Sequence, residues 1–459
     1  MKHRNELDMV HGPLLKNMLL FALPILAMNL LQLLFNAADM VVVGRFAGSD
    51  ALGAVGATGA LINLLVNLFM GLSVGTSVLV AQDCGAGRPS EVSKSVHTSI
   101  AVSIIAGFGV GAAGAVFCRP LLSLMGTPEN ILDLSTVYMR IYFYGMPANM
   151  IYNFGAAVMR AAGDSRRPMY YLIISGAVNV LLNLLFVIVF KMSVAGVAIA
   201  TVISQYLSLV LLMQSLLRYD GMIRFSWKKM RIDRAKLVGL VRIGLPAGAQ
   251  GTLFSISNVL IQSAVNSFGS TLVAASSASS NLEGLLGTTM NAYYNAAITF
   301  TGQNIGSGNP KRVDGIVKAI LLFVLVTWIV LGGAVMLFSR QILSIYSSDP
   351  EVLDLGVIKV NVMMILYCSC GLMNAMPGVM RGMGYSFMPM LITLVGCCLF
   401  RIVWLYTAFA WYPTIQVLFA CYPVTWSVAA IGHVISYLLV RRKMGIAGPK
   451  EPRPRKAGT

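Results

Sequence analysis

The chain has 459 residues, of which 57% are hydrophobic and only 11% are charged, and its formal net charge is +17. A soluble domain carries about 25% charged residues, so this composition excludes an ordinary soluble protein and predicts an all-α membrane protein. A basic chain could bind nucleic acid, but these lysines and arginines lie mostly at the ends of apolar segments. That placement argues for the lipid bilayer as the partner and against nucleic acid.

Twelve segments of about 20 or more mostly apolar residues are long enough to cross a bilayer. No small-residue cleavage site follows the first, so it is predicted to be an uncleaved membrane helix rather than a signal peptide. Six segments fall in each half, at 14–38, 51–82, 93–118, 134–159, 169–190 and 194–217, and at 237–265, 273–304, 315–339, 355–380, 388–411 and 415–440.

These segments divide the chain into five predicted regions. A cytoplasmic N-terminus (1–13) leads into a six-helix N-lobe (14–217), and a basic linker (218–236) joins it to a six-helix C-lobe (237–440) and a cytoplasmic tail (441–459). The linker is both basic and amphipathic, so we expect it to lie along the cytoplasmic surface.

The two lobes repeat one sequence. VMRAAGDSRRP at 158–168 recurs as VMRGMGYSFMP at 379–389, and Gln82 recurs as Gln303 at the same offset of 221 residues. Nearer the N-terminus the offset is 222. Because each half has an even number of spans, both halves have the same orientation. A parallel repeat in so apolar a chain predicts a transporter whose substrate binds between the lobes.

The basic residues orient the spans. With the N-terminus in the cytoplasm, all but seven of the 34 lysines and arginines fall on the cytoplasmic side, as the positive-inside rule requires. A multi-pass protein with both termini in the cytoplasm is therefore predicted. The seven exceptions are Arg45, Arg119, Arg140, Lys191, Arg340, Lys359 and Arg401.

Two acidic residues lie within predicted spans or at their edge. Asp39 follows the outer end of span 1 and shares a helix face with Gln32 and Asn36, at spacings of three and four residues. An acid in a span is costly unless it is partnered or hydrated, so we expect Asp39 to exchange a proton or to hold a sodium ion. Glu283 in span 8 could bind substrate or an ion directly, or form a buried ion pair with Arg401.

Amide and hydroxyl side chains recur at one-turn spacing in several spans. Such stripes either face a wet cavity or hydrogen-bond neighbouring helices, and the sequence leaves both readings open. The first half offers Asn149 and Asn153, Asn179 and Asn183, and Thr201 and Ser204. The second half offers Asn258, Gln262, Asn291 and Asn295, which we group with Glu283 and Arg401 as C-lobe substrate-site candidates.

The motifs together resemble the multidrug and toxic compound extrusion (MATE) family, in its bacterial branch related to DNA-damage-inducible exporters. The resemblance rests on FNAADMVVVG around Asp39, on QDCGAGRPSEV and its echo GQNIGSGNPKRV at 302–313, and on MR-x-x-G at Arg160 and Arg381. It covers essentially the whole chain. It implies two lobes in a V, open alternately to each side of the bacterial cytoplasmic membrane.

The resemblance also implies a function. A MATE-like monomer would export cationic or amphipathic drugs in exchange for protons or sodium ions, with no other cofactor. By position, the cation site would use Asp39, Asn153, Asn179 and Thr201, beside Asn36 and Asn183, and a sodium ion would be held by Asp39, Asn179 and Thr201. Many relatives carry a second aspartate where this chain has Asn183, which leaves open whether the exchanged ion is a proton or sodium.

Three other functions were weighed against export. A flippase for a lipid-linked precursor, on the same superfamily fold, would need basic residues in its cavity, and only Arg140 and Arg401 lie within predicted spans. A major facilitator transporter would carry an Asp-Arg and basic cluster in the loop between spans 2 and 3, where this chain has DCGAGRPSEV. The spans contain no catalytic set and no phosphate-binding loop, so an enzyme or an ATP-driven pump is not expected.

Overall fold

The computed structural model describes residues 7–445, apart from the side chains of residues 49, 60 and 63–65. Within this range all regular structure is helical, and the helices form twelve spans, six in each half, as the sequence predicts. The predicted tail beyond residue 445 and residues 1–6 lie outside the described part. We number the spans in chain order.

The N-lobe contains spans 1 to 6. Span 1 runs past its predicted end at residue 38, because the apolar residues from Met40 to Val43 extend its lipid-compatible surface. Asp39 therefore lies inside the helix, about two turns before its end. The spans are Leu14–Phe46, Ser49–Gly85, Pro89–Leu124, Glu129–Tyr144 with Met146–Ala161, Arg166–Leu184 with the π-helical turn Leu185–Val189, and Ser193–Leu217.

The C-lobe contains spans 7 to 12 in the same order. A short helix, Ser339–Leu343, separates spans 9 and 10, and another, Ala408–Trp411, follows span 11. The spans are Arg234–Asn266, Ser270–Gly306, Arg312–Thr327 with Trp328–Gly332 and Gly333–Leu337, Pro350–Ile365 with Tyr367–Gly382, Phe387–Thr393 with Leu394–Leu399 and Phe400–Tyr406, and Ile415–Lys443.

The apolarity of the spans is uneven. In the described chain nine helices are long and apolar enough to cross a membrane alone, and span 10 qualifies when its two parts, bent by 55°, are joined. The remaining two are span 4 and span 8, which carry the polar stripes. These two spans pack against several others, so they need less lipid-facing surface than the rest.

Span 4 and its repeat, span 10, are broken at equivalent positions. The breaks fall at Gly145 and Leu366, which are 221 residues apart. Pro147 lies in the first turn after the break in span 4. Pro377, in contrast, lies inside the second part of span 10, well beyond the bend. The bend in span 10 is thus not caused by the proline that the sequence suggested.

The lobes meet mainly along spans 2 and 7. Gly71 and Gly75 of span 2 face Gly244 and Gly248 of span 7, and a Cβ atom at any of these four positions would overlap the backbone of the opposite helix. Small residues at a helix crossing let two backbones approach closely, which is how helices associate without a hydrophobic driving force.

Both termini lie on one face of the protein, which we call the terminal face. The connections between spans 2 and 3, 4 and 5, 6 and 7, and 8 and 9 lie there too, because Lys236 at the start of span 7 bonds Asp83 at 2.7 Å and Glu91 at 3.1 Å and Arg441 of span 12 bonds Asp314 of span 9. The positive-inside rule predicts that this face is cytoplasmic.

A reciprocal pair of hydrogen bonds closes the terminal face between the lobes. Gln82 donates to the Gly382 carbonyl oxygen at 2.9 Å, and Gln303 donates to the Ala161 carbonyl oxygen at 2.7 Å. Both donors and both acceptors are related by the 221-residue offset, and each acceptor is the last residue of span 4 or span 10. We call these two bonds the glutamine exchange.

The glutamine exchange is supported by close helix packing. A Cβ atom at Gly85 would overlap the Gln303 carbonyl, and one at Gly306 would overlap the Gln82 carbonyl. Spans 2 and 8 therefore touch backbone to backbone where they end. The terminal face is sealed at this crossing.

The N-terminal segment, residues 7–12, crosses beneath the lobe boundary. The Leu7 amide donates to the Gly163 carbonyl of the N-lobe at 3.4 Å. Asn304 of the C-lobe donates to the Met9 carbonyl at 3.0 Å, and Met9 is buried. The segment is thus held by both lobes.

The linker between the lobes folds back onto the N-lobe. Its apolar side chains Tyr219, Ile223 and Phe225 are buried there, and the Phe225 ring stacks on His97 at a centroid distance of 5.0 Å. Its lysines remain exposed. The amphipathic character seen in the sequence therefore serves packing against the protein itself.

Candidate functional site

The polar stripes of spans 1, 4, 5 and 6 converge on a cavity of about 200 Å³ inside the N-lobe. We call it the N-lobe cavity. Five of the six predicted cation-coupling residues line it: Asn36, Asp39, Asn153, Asn179 and Thr201. The sixth, Asn183, reaches the same carboxylate by a hydrogen bond.

A chain of hydrogen bonds leads away from Asp39. The Asn183 Nδ2 donates to Asp39 Oδ1, and also faces Asn179 Oδ1 at 3.3 Å. Asn179 Nδ2 in turn faces Thr201 Oγ1 at 3.5 Å, a long contact, and Thr201 donates to the Val197 carbonyl at 2.9 Å. Asn153 lines the cavity but donates only to Asn149, one turn before it in span 4.

The charge of Asp39 meets only neutral groups. No lysine or arginine of the described chain lies within ion-pair distance of its carboxylate, and its hydrogen-bond partner is the Asn183 amide. The other side of that amide, Asn183 Oδ1, is buried without a donor. An intramembrane carboxylate facing a cavity without a basic partner is a typical site for a proton or a metal cation.

The residues around Asp39 also fit a sodium ion, which prefers oxygen ligands as other hard cations do. The Asp39 carboxylate, Asn179 Oδ1 and Thr201 Oγ1 are such oxygens, as the sequence predicts. Asn183 Oδ1 is a further oxygen, because an amide's orientation is assigned from its hydrogen bonds and a rotation would turn this oxygen towards Asp39.

The predicted pairing of Glu283 with Arg401 is wrong. Glu283 lies 3.2 Å from Lys359 Nζ in span 10, and Lys359 also donates to Ser276 at 3.1 Å and to Ser280 at 2.8 Å. The sequence analysis overlooked Lys359, although it stands alone in the apolar run of predicted span 10. Glu283 therefore has a fixed cationic partner, in contrast to Asp39.

Arg401 has neutral neighbours instead. Its side chain is fully buried, donates to Asn258 Oδ1 at 2.6 Å, and lies between the rings of Phe254 and Tyr422, each about 5 Å from the guanidinium carbon. Gln262 is exposed and bonds Asn266 at 2.9 Å. Of these C-lobe candidates, the structure brings together only Asn258 and Arg401.

A second cavity of about 390 Å³ lies between the lobes. We call it the inter-lobe cavity. Asn29 crosses it from span 1 to bond the Thr288 carbonyl at 3.2 Å and Asn291 at 3.3 Å in span 8. Equivalent residues of both repeats line it, among them Asn153 and Asn374, and Arg160 and Arg381, and the predicted residues Asn291 and Asn295 belong to it as well.

The positions of Arg160 and Arg381 correct the sequence analysis, which assigned both to the cytoplasmic side. Each is in the last turn of its helix. Helical side chains point back toward the N-terminus of their helix, so both guanidiniums extend from the terminal face into the inter-lobe cavity. The repeated MR-x-x-G motif was visible in the sequence, but the direction of its arginines was not.

Comparisons with known proteins agree with this architecture. The MatE family model matches residues 24–185 and 246–407, one match in each repeat. The "Probable multidrug resistance protein YoeA" of Bacillus subtilis is 30% identical over 395 residues, covering 83% of both chains. The "FAD transporter" of Shewanella oneidensis is 27% identical over 361 residues, covering 77% of this chain and 78% of its own.

Solved structures share the fold. A MATE transporter in the bent conformation has a TM-score of 0.86 at 20% identity, over 94% of this chain and 97% of its own. A MOP superfamily transporter from Pyrococcus furiosus, described as having a binding pocket of reverse polarity, has a TM-score of 0.88 at 20% identity, over 98% of this chain and 100% of its own. Both cover all twelve spans. The chain therefore belongs to the MatE family of multidrug and toxic compound extrusion proteins, and is a membrane transporter rather than an enzyme.

Proposed function

We propose that this protein is a cation-coupled antiporter that exports amphipathic small molecules, drugs among them, from the bacterial cytoplasm by alternating access. Asp39 is its coupling carboxylate, and a proton or a sodium ion is exchanged there. The observation that carries this proposal is the charge of Asp39, which faces a cavity among neutral amides and has no basic partner among the described residues. The names of its multidrug resistance relatives support export.

The two cavities suggest how the ion and the substrate are coupled. They share the lining residues Met28, Gln32, Asn153 and Arg160. A cation that enters at Asp39 draws the oxygens of spans 5 and 6 toward span 1, and the shared wall must then move. Span 1 contains Pro24, which removes one backbone hydrogen bond and makes bending easier. Substrate is released outward as the inter-lobe cavity changes shape.

Alternating access also requires the terminal face to open and close. The glutamine exchange and the glycine contacts of spans 2 and 8 hold it closed. One chain supplies both halves of this closure, so we propose that the monomer is the working unit.

The proposal is tested by dye efflux from proteoliposomes, driven in separate experiments by a sodium gradient and by a pH gradient. Asp39→Asn should abolish gradient-driven efflux while the protein remains monodisperse, because the amide cannot carry the exchanged charge. Asp133→Asn, which alters a largely exposed acid, is the control and should leave efflux unchanged. Undiminished efflux by Asp39→Asn would refute the coupling role.

A second candidate gains support from the structure. A flippase for a lipid-linked pyrophosphate precursor needs basic residues in its cavity, and Arg160 and Arg381 supply two. A fluorescent lipid-linked sugar in the same vesicles separates the two functions. Its translocation without any coupled dye efflux would favour the flippase.

A further inference from the structure

We propose that the inter-lobe cavity binds an organic anion, with the phosphate or carboxylate group of the substrate held by Arg160 and Arg381. The inference rests on the proposed function and narrows its substrate class. It departs from the cationic drugs that the sequence resemblance implies.

The charges of the cavity lining are all of one sign. The lining residues from the described chain include Arg160 and Arg381 and no aspartate or glutamate. The remaining polar groups are neutral amides and hydroxyls, such as Asn153, Asn374 and Asn295, which can donate hydrogen bonds to an oxyanion. An organic cation would meet two guanidiniums there and no carboxylate.

Arg381 is held rigidly, but its charge is not neutralised. It is 3% exposed, and it donates to Gln250 Oε1 at 2.7 Å, to the Tyr294 hydroxyl and to Ser386 Oγ. All three acceptors are neutral. A buried charge is costly unless an opposite charge compensates it, so this guanidinium is oriented by the protein and still lacks a counter-ion.

Arg160 lacks even these neutral partners. The positions that correspond to Gln250 and Tyr294 in the first repeat are Met28 and Ser73, and neither bonds Arg160. Within the described chain its Nε is buried without an acceptor, and its side chain lines both cavities. If the repeated arginine served only to link helices, both copies would need acceptors. Only one copy has them, which leaves Arg160 free to bind a ligand.

The two arginines thus have different parts in one site. Arg381 provides a fixed positive charge, and Arg160 provides unused donors of the planar, bidentate kind that suits phosphate and carboxylate groups. The anion can belong to a soluble solute or to a lipid-linked precursor, because the charged group is the same. Asp39, in the adjoining cavity, remains the separate site of the coupling cation.

The experiment compares two dyes that share a xanthene ring system and differ in charge. Fluorescence polarisation of fluorescein, an anion, and of rhodamine 123, a cation, is measured with the full-length protein in nanodiscs. Fluorescein should bind at least ~10-fold more tightly than rhodamine 123. Arg160→Gln should weaken fluorescein binding by ~10-fold, the effect of losing one charge-assisted hydrogen bond, and should leave rhodamine 123 binding unchanged.

Arg160→Lys keeps the charge and should restore part of the fluorescein affinity, which separates an electrostatic role from a fold defect. Fluorescein binding that competes with a lipid-linked pyrophosphate would support the inference with a lipid as the source of the anion. Tighter binding of rhodamine 123, or equal fluorescein binding by the parent and Arg160→Gln, would overturn it. Because binding needs no gradient, a failure of coupled efflux would refute the proposed function and leave this test intact.

Discussion

The glutamine exchange makes a quantitative prediction about the conformational equilibrium. Replacing Gln82 or Gln303 by alanine removes one of two equivalent hydrogen bonds across the lobe boundary and should shift the protein toward opening of its terminal face. The repeat requires that the two single variants have similar effects, because donors and acceptors are equivalent in both halves.

The size of the shift follows from the geometry. Bonds of 2.9 Å and 2.7 Å have normal amide–carbonyl length, and each contributes a net stabilisation of about 1 kcal/mol. One such loss changes the ratio of closed to open molecules about 5-fold. If the two bonds act independently, the double variant should change it about 25-fold.

Electron–electron double resonance measures this ratio directly. Spin labels at positions 88 and 309 would report on it, because Arg88 and Asn309 are exposed, equivalent in the repeat, and follow the ends of spans 2 and 8. The native cysteines are first replaced. The long-distance population should grow in each single variant and further in the double variant, and Gln341→Ala, on an exposed short helix, should match the parent.

Two results would refute this reasoning. An unchanged distance distribution in the double variant would show that the glycine crossing alone closes the terminal face. A large effect from one glutamine and none from the other would show that the bonds are not equivalent.

Three further predictions concern packing and charge. Gly306→Ala should lower the thermal unfolding temperature, at a cost of about 1–3 kcal/mol from overlap with span 2, whereas Gly284→Ala in the same helix, which faces open space, should not. Lys359→Met should destabilise the protein by about 3 kcal/mol by leaving Glu283 unpaired, and adding Glu283→Gln should recover most of that loss; no recovery would mean that the ion pair is not the reason. Asn183→Asp should place a second carboxylate against Asp39 and increase the number of cations exchanged per substrate, and an unchanged stoichiometry in reconstituted vesicles would count against a cation site there.

The sequence was sufficient for the architecture. Apolar length, the repeat offset and the one-sided basic residues are local or periodic signals, and together they predict twelve spans in two parallel lobes. The Asp39 region was predictable for a similar reason, because amide pairs one turn apart identify a helix face. The structure brings those faces together around one carboxylate.

The remaining features depend on how distant helices meet. Lys359 and Glu283 are 76 residues apart, and Arg401 was an equally plausible partner until the helices were placed. The bend at Leu366 has no local signal, since neither proline nor glycine stands there. Arg160 was conspicuous in the sequence, but whether it faced cytoplasm or cavity depended on the crossing of the two lobes.

The glutamine exchange also bears on the origin of the chain. Contacts in which residue i of one half touches residue j of the other, while the equivalents of j and i touch in return, are isologous, the hallmark of a twofold dimer. Spans 1–6 and 7–12 meet at the terminal face in that manner, as two copies of a single-lobe ancestor would have done. Separately expressed halves should thus reassemble without the linker, each completing the helix end of its counterpart.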